Sequence, residues 1–256
     1  RHTARVRSRR SRSWAVLIAG LLVVGLAAWL LRRENPGPEA TSTPSPDAGR
    51  ETGWAARWTI DGDTLDIERD GQVVRLRLLN IDAPERRTAD HGPQCLAEAA
   101  TTRLIELAPR GTELTILTAG QDRYGRTLGE AWLPDGRMLG AEIVRSGLAA
   151  PVTIGGQDTF RAEMDVAQAE AAANARGLHD PKENCSLPAH VVSLEGRAHG
   201  IPPEDAAGRG ALSTDAATVL ADLTSARPRA GVAALTAAER DDLVTRTRAV
   251  LTAIQK

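Results

Sequence analysis

Aromatic residues are scarce in this 256-residue chain: five Trp, one Tyr and one Phe, 3% of the total. That leaves little material for the aromatic platforms on which nucleobases stack or sugars rest. Cysteine stops at two, Cys95 and Cys185, so the chain can form at most one internal disulfide or carry two separate thiols. A surplus of either charge is also missing, with a formal net charge of -1. This excludes a generally basic protein that gathers nucleic acid by neutralising phosphates over its whole surface.

The balanced average hides segregation. Residues 1–33 carry eight arginines and no acid, residues 51–186 carry 22 acids against 15 bases, and residues 187–256 carry eight of each. Any anion-binding surface in the middle segment must therefore be a local basic cleft. Residues 14–31 are consistently apolar, long enough to span a hydrocarbon core, with the heavier arginine cluster in 1–13. The expectation is a single-pass anchor with a cytoplasmic N-terminus and the remainder outside the cytoplasm; secretion after cleavage of a signal segment is the alternative. Residues 34–50, rich in Pro, Ser, Thr and Gly, read as a flexible tether. With both cysteines on the exported side, a Cys95–Cys185 disulfide is expected in preference to two buried thiols.

Residues 51–186 read as one domain. Three short strands come first within 54–85; alternation marks Thr64–Glu68 and Val73–Asn80, and Asp70-Gly71 between them is a hairpin turn signal. Leu78-Leu79 breaks the alternation and implies a bulge or a strand buried on both sides. Helical spacing follows from Pro93 to Leu107, then strands at Thr112–Thr118 and Thr127–Leu133, a helix at Met138–Ser146 ended by Gly147, and a helix at Thr159–Arg176 capped by Asp158 or Thr159. Five short strands with inserted helices predict a mainly β, α+β fold: a small closed, all-antiparallel barrel with three helices. Residues 187–256 predict a helical extension, with helices at Ser213–Ser225 and Thr236–Ile254 and a capping box at Thr236–Glu239.

Carboxylates gather at the strand ends. Asp61 and Asp63 precede one strand, Asp82 and Glu85 follow the next, and the hairpin brings these loops together. Oxygen ligands without His or Cys suit Ca²⁺ or Mg²⁺; ordinary exposed turns would look similar. Arg77 stands inside an apolar strand, where it needs a partner, either Glu85 or a bound anion. Arg75 reads as a solvent-face arginine. Arg126 ends the polar loop Asp122–Arg126. Two arginines beside carboxylates and a cation make a phosphate site. A binding module that does not cut, or a glycoside hydrolase using Glu85 with Asp82 or Asp63, would share parts of this set.

The stretches DGDT at 61–64, RLLNIDAPE at 77–85, DRYGR at 122–126 and GRMLGAEIVRSGLA at 136–149 resemble the staphylococcal nuclease (thermonuclease) family over about residues 54–186. The resemblance implies a five-stranded OB-type barrel and a Ca²⁺-dependent enzyme cleaving DNA, RNA or both by attack on the 5′ side of the phosphodiester. It further implies Asp63, Asp82 and the Ala83 carbonyl as metal ligands, although the family commonly has Thr at the last position. Glu85 would orient or deprotonate the attacking water, Arg77 and Arg126 would hold the phosphate, Asp61 would support the metal loop, and Tyr124 would touch the nucleotide. PVTIGG follows Ala149 where the best-known member has base-stacking tyrosines. Arg86 and Arg87 are the expected local compensation for the domain's acidity. A monomer is expected, with nucleic acid as substrate and the membrane as attachment.

Overall fold

In the computed structural model, residues 49–86, 92–226 and 228–255 are described, and residues from Gly49 onward form one compact unit. Five strands close a barrel: β1 (Glu51–Thr59), β2 (Thr64–Arg69), β3 (Gln72–Leu78), β5 (Glu113–Gln121) and β6 (Thr127–Trp132), in the order β1-β2-β3-β6-β5. β1 through β3 form a meander. The turn between β2 and β3 places Asp70 and Gly71 at φ 52° and 79°, the left-handed conformation that Asp-Gly hairpins adopt. Closure differs from the all-antiparallel expectation. β3 pairs with β6 in parallel, Arg77 opposite Leu128, because α1 (Ala97–Leu107) and β5 intervene and return the chain in the same direction.

Inward residues Leu65, Ile67, Leu76, Leu78, Ile116 and Ala131 fill the barrel. The irregularity at Leu78-Leu79 resolves as burial on both sides: both leucines are fully buried, as is Ile81. After β3 the chain turns through Asn80 and forms β4 (Ile81–Asp82), which pairs with β7 (Ala150–Pro151). Helices α2 (Leu139–Arg145) and α3 (Arg161–Ala173) pack outside the barrel. Gly147 ends the α2 region at φ 71°; a Cβ there would meet the Arg176 carbonyl oxygen at 2.0 Å, so a close backbone approach requires glycine. Two expected helix starts moved inward. α1 begins at Ala97, after the left-handed Leu96, so Pro93 lies before the helix. α3 begins at Arg161 with no side-chain cap, so neither Asp158 nor Thr159 serves as one.

The C-terminal region is more helical than expected. α4 (Leu187–Gly200) is capped by the Ser186 hydroxyl, which accepts from the Ala189 N–H. α5 (Ala206–Leu223) starts before Ser213, with Asp205 as cap. A short α6 (Ala230–Ala233) precedes α7 (Ala237–Ala253), where the Thr236–Glu239 capping box forms. Val191, Leu212, Val219, Leu243 and Val250 give this bundle its own core. It is fastened to the barrel half by His179 Nδ1 to Glu239 (2.9 Å) and by Gln168 Nε2 donating to the Ala234 carbonyl (2.6 Å).

Cys95 and Cys185 form a disulfide with a Cα–Cα distance of 5.4 Å, closing 90 residues of chain. Loop-closure entropy values such a link at about 4 kcal/mol. The Cys95→Ser/Cys185→Ser variant should therefore unfold at distinctly lower urea. An unchanged urea midpoint would show that the crosslink does not restrain the unfolded chain.

The expected anchor, residues 14–31, lies outside the described residues, as do the basic segment 1–13 and the linker 34–48. Among the described residues no helix is long and apolar enough to cross a membrane. The longest, α5, carries Arg209, Asp215 and Asp222. The fold is therefore corrected to a closed barrel with helices, with no membrane-spanning helix among the described residues. Membrane attachment, the single-pass localisation and the extracytoplasmic placement built on it are withdrawn.

Candidate active site

The β2–β3 register builds the site. Thr64 stands opposite Arg77, which puts Asp63, one residue before β2, beside the arginine. The Leu78 N–H donates to the Asp63 carbonyl (2.8 Å), extending the pairing by one bond. Gly62 lets the Asp61–Thr64 loop press inward: a Cβ there would lie 2.6 Å from the Ala100 Cβ and 2.7 Å from the Ala83 Cβ. The loop is thus wedged between α1 and the segment carrying Asp82 and Ala83.

Asp63 is buried and fully engaged. Its Oδ2 accepts from the Ala83 N–H (2.8 Å) and lies 3.1 Å from Arg77 Nη2; its Oδ1 accepts from the Thr64 hydroxyl (3.0 Å). Asp61 Oδ1 accepts from the Asp63 N–H (3.1 Å), so Asp61 braces the loop from behind. Burial pushes the Asp63 carboxyl up to about 7 despite the guanidinium, and Asp61 adds to the rise. Arg77 donates through Nη1 to the Leu78 and Ile81 carbonyls (both 2.8 Å) and through Nη2 to Asp82 Oδ1 (3.3 Å). It therefore bridges Asp63 and Asp82, and makes no bond to Glu85, one of the two partners (Glu85 or a bound anion) that the sequence suggested. The reason is the short turn at Asn80, which folds Ile81 and Asp82 back over the strand that carries Arg77.

Asn80 is a site-building residue that the sequence reading passed over. It is fully buried at φ 64°. Its Oδ1 accepts from the Phe160 N–H (3.0 Å), and its Nδ2 donates to the Val152 (3.1 Å) and Gln157 (2.7 Å) carbonyls. An Asn closing an apolar strand was the available signal, since Asn tolerates the left-handed conformation. This clamp ties the PVTIGG segment to the turn that presents Asp82.

Glu85 is exposed at the surface, with its carboxyl only partly shielded from water. Its carboxyl is raised by burial and by the nearby charges of Asp61 and Asp82, and is lowered by Arg77 and Arg126. Asp82 is likewise raised by burial, with Arg77 opposing and Asp61 adding. The fold thus brings Asp61, Asp63, Arg77, Asp82, Glu85 and Arg126 into one electrostatic neighbourhood. Arg126 is braced by Asp122: Nε donates to Oδ2 (2.7 Å) and the backbone N–H to Oδ1 (3.0 Å). Among the described residues, its two terminal nitrogens and the Arg77 Nε make no hydrogen bond. Tyr124 is 68% exposed at the rim, 4.8 Å below the Arg123 guanidinium and 5.6 Å from that of Arg126.

Arg75 is a surface arginine, paired with Asp66 (2.8 Å). Arg86 is paired with Glu98 on α1 (3.0 Å), and Arg87 lies outside the described residues. Among the described residues, no three or more His, Cys, Asp or Glu side chains are grouped to hold a metal ion. The donor set that the site offers is smaller: the two carboxylates of Asp63 and Asp82 and the Ala83 carbonyl. Its chemistry fits a hard cation, because the donors are all oxygens; burial first, and neighbouring aspartates second, hold Asp63, Asp82 and Glu85 above their ordinary range, a cost that a bound cation would relieve.

Comparison with known proteins gives the chain its family. The family model described as "Staphylococcal nuclease homologue" matches residues 75–180, a span that holds Arg77, Asp82, Glu85 and Arg126 and begins after Asp61 and Asp63. An "Uncharacterized endonuclease" of Escherichia coli O157:H7 is 34% identical over 119 residues, 46% of this chain and 71% of that protein. The thermonuclease of Staphylococcus intermedius is 29% identical over 156 residues, 60% of this chain and 92% of that enzyme. A micrococcal nuclease of Shigella flexneri is 40% identical over 75 residues, 29% of this chain and 39% of that protein. With the barrel, the carboxylate–arginine site and these relatives in agreement, the chain belongs to the staphylococcal nuclease family, whose members are nuclease-type hydrolases.

Proposed function

We propose that the barrel domain is a Ca²⁺-dependent phosphodiesterase that cleaves DNA, RNA or both by attack of water on the phosphodiester. The observation that carries this reading is the neighbourhood of Glu85, which feels two arginines and two aspartates at once. Such an arrangement has little structural use, since Glu85 and Asp82 are both held above their ordinary range, which costs stability.

Asp63, Asp82 and the Ala83 carbonyl would hold the cation, with Asp61 bracing their loop. When bound, the ion supplies positive charge to the phosphate and to the crowded acids. Glu85 orients the attacking water and accepts its proton, a role that relies on placement because a carboxylate is a weak base. Among the described residues, the terminal nitrogens of Arg126 and the Nε of Arg77 are donors left unused. They are suited to the equatorial oxygens, where charge builds as the phosphorus becomes five-coordinate. The remaining donors of Arg77 fix Asp63 and Asp82 relative to the strand. Tyr124 offers its exposed ring to the nucleotide at the rim.

Cleavage of single-stranded DNA and of RNA should appear on adding millimolar Ca²⁺ in mildly alkaline buffer, and should stop when a chelator is added. Oligonucleotide that binds tightly without yielding product under these conditions would replace this reading with that of a binding module.

A further inference from the structure

The Glu85 carboxylate makes no hydrogen bond or ion pair among the described residues. Its position is therefore set through its backbone, and one residue takes both backbone groups. Gln94 Oε1 accepts from the Glu85 N–H (3.1 Å), and the Gln94 N–H donates to the Glu85 carbonyl (2.9 Å). Gln94 is half-buried, and its carbonyl accepts from the Ala97 N–H (3.1 Å) at the start of α1. The next residue, Cys95, is tied to Cys185. Gln94, Cys95 and Cys185 line a cavity of about 740 Å³ against the helical bundle, together with Leu187, His190 and Arg229. The strap that grips Glu85 thus has a covalent anchor that solvent reaches.

We propose that Gln94 is a positioning residue for Glu85, held in register by the Cys95–Cys185 disulfide. The proposal rests on Glu85 acting as the water-orienting base. The pair of bonds fixes the Glu85 N–H and carbonyl, and with them the direction in which the side chain leaves the backbone. The disulfide keeps the strap from drifting away from residues 84–86. Reduction by dithiothreitol breaks the Sγ–Sγ bond, leaves a thiol on each cysteine, and closes the reagent's own two thiols to a cyclic disulfide. No other co-reactant is required.

The test uses the full chain and two substitutions. Gln94→Met keeps the volume and removes the acceptor; Gln94→Glu keeps an acceptor for the Glu85 N–H. Gln94→Met should lower kcat about ten- to a hundredfold, the scale on which small misplacements act, with KM little moved. Gln94→Glu should recover most of that loss. Hydrogen exchange at the Glu85 amide should quicken in Gln94→Met and stay slow in Gln94→Glu, while the buried amides of Ile67 and Leu104 keep their protection; in the reduced wild-type protein it should quicken by a larger factor than those core amides, which lose only what the lower global stability removes. Wild-type kcat in Gln94→Met, or equal loss in Gln94→Glu, would overturn the proposal. Full activity in Glu85→Gln would instead remove the base assignment, and the exchange data would still report whether Gln94 holds residue 85.

Discussion

Glu85→Gln should lower kcat by about 10³-fold, within the range that general-base catalysis contributes, without loss of fold. The amide keeps the size of the side chain and leaves the two backbone bonds to Gln94 untouched. What it removes is the proton acceptor. The wild-type Glu85 carboxyl is raised above the ordinary carboxylate range by burial and by Asp61 and Asp82. The wild-type rate should fall as pH drops through that raised value, and the residual rate of the variant should lack this acid limb. Stability moves the other way. A carboxyl with a raised pKa in the folded state costs stability above its unfolded value, because the folded chain holds its proton more tightly. Glu85→Gln should thus be as stable as wild type at neutral pH, or more so. Steady-state kinetics across pH together with urea unfolding would check both halves. Full activity, or collapse of the fold, would contradict the assignment.

Local signals carried far in this sequence, and pairings between distant segments did not. Asp70-Gly71 specifies its hairpin alone, because both residues accept positive φ, and the Thr236–Glu239 box caps its helix through contacts three residues apart. The parallel pairing of β3 with β6 joins segments about fifty residues apart. No local pattern encodes it; it follows from closing the barrel with α1 and β5 in between. The same division holds in the site. Arg77 stood out because an arginine inside an apolar strand is unusual, whereas acids at strand ends also occur in ordinary exposed turns. The partners were not readable, since Arg77 is captured by Asp63 and Asp82 through the turn at Asn80, whose three bonds reach residues 152–160. α4 went unread although Ser186 and Pro188 form a start signal. Its Gly196 and Gly200 dilute the apolar pattern.

Glu130→Gln should flatten much of the protein's stability loss at rising pH. Glu130 lies in β6, where every residue after Thr127 is buried, so the strand offers no polar face to receive it. Its Oε1 accepts from the Ala131 (2.8 Å) and Gly140 (3.1 Å) N–H groups, whereas Oε2 is buried without a partner. Burial pushes its carboxyl up to about 8, against 4.5 for an ordinary glutamate, and Glu163 adds to the rise. Below the ordinary value both folded and unfolded chains carry the proton, and the group contributes no pH dependence. Between the ordinary value and about 8 the unfolded chain has released it and the folded chain has not, so stability falls as pH rises. Above that window both are ionised and the full cost is present. At about 1.4 kcal/mol per pKa unit the cost approaches 4–5 kcal/mol. Glutamine keeps the Oε1 acceptor and cannot ionise. Its amide nitrogen inherits the unpartnered Oε2 position, which costs about 1 kcal/mol or more at every pH. The variant should therefore be slightly less stable than wild type in acid and clearly more stable by mildly alkaline pH. The difference between the two unfolding free energies cancels the other titrating acids, Asp63 and Asp82 among them, and isolates this group. A difference that stays constant across that range would mean Glu130 is already ionised in the folded protein, and the dry environment inferred for it would be wrong.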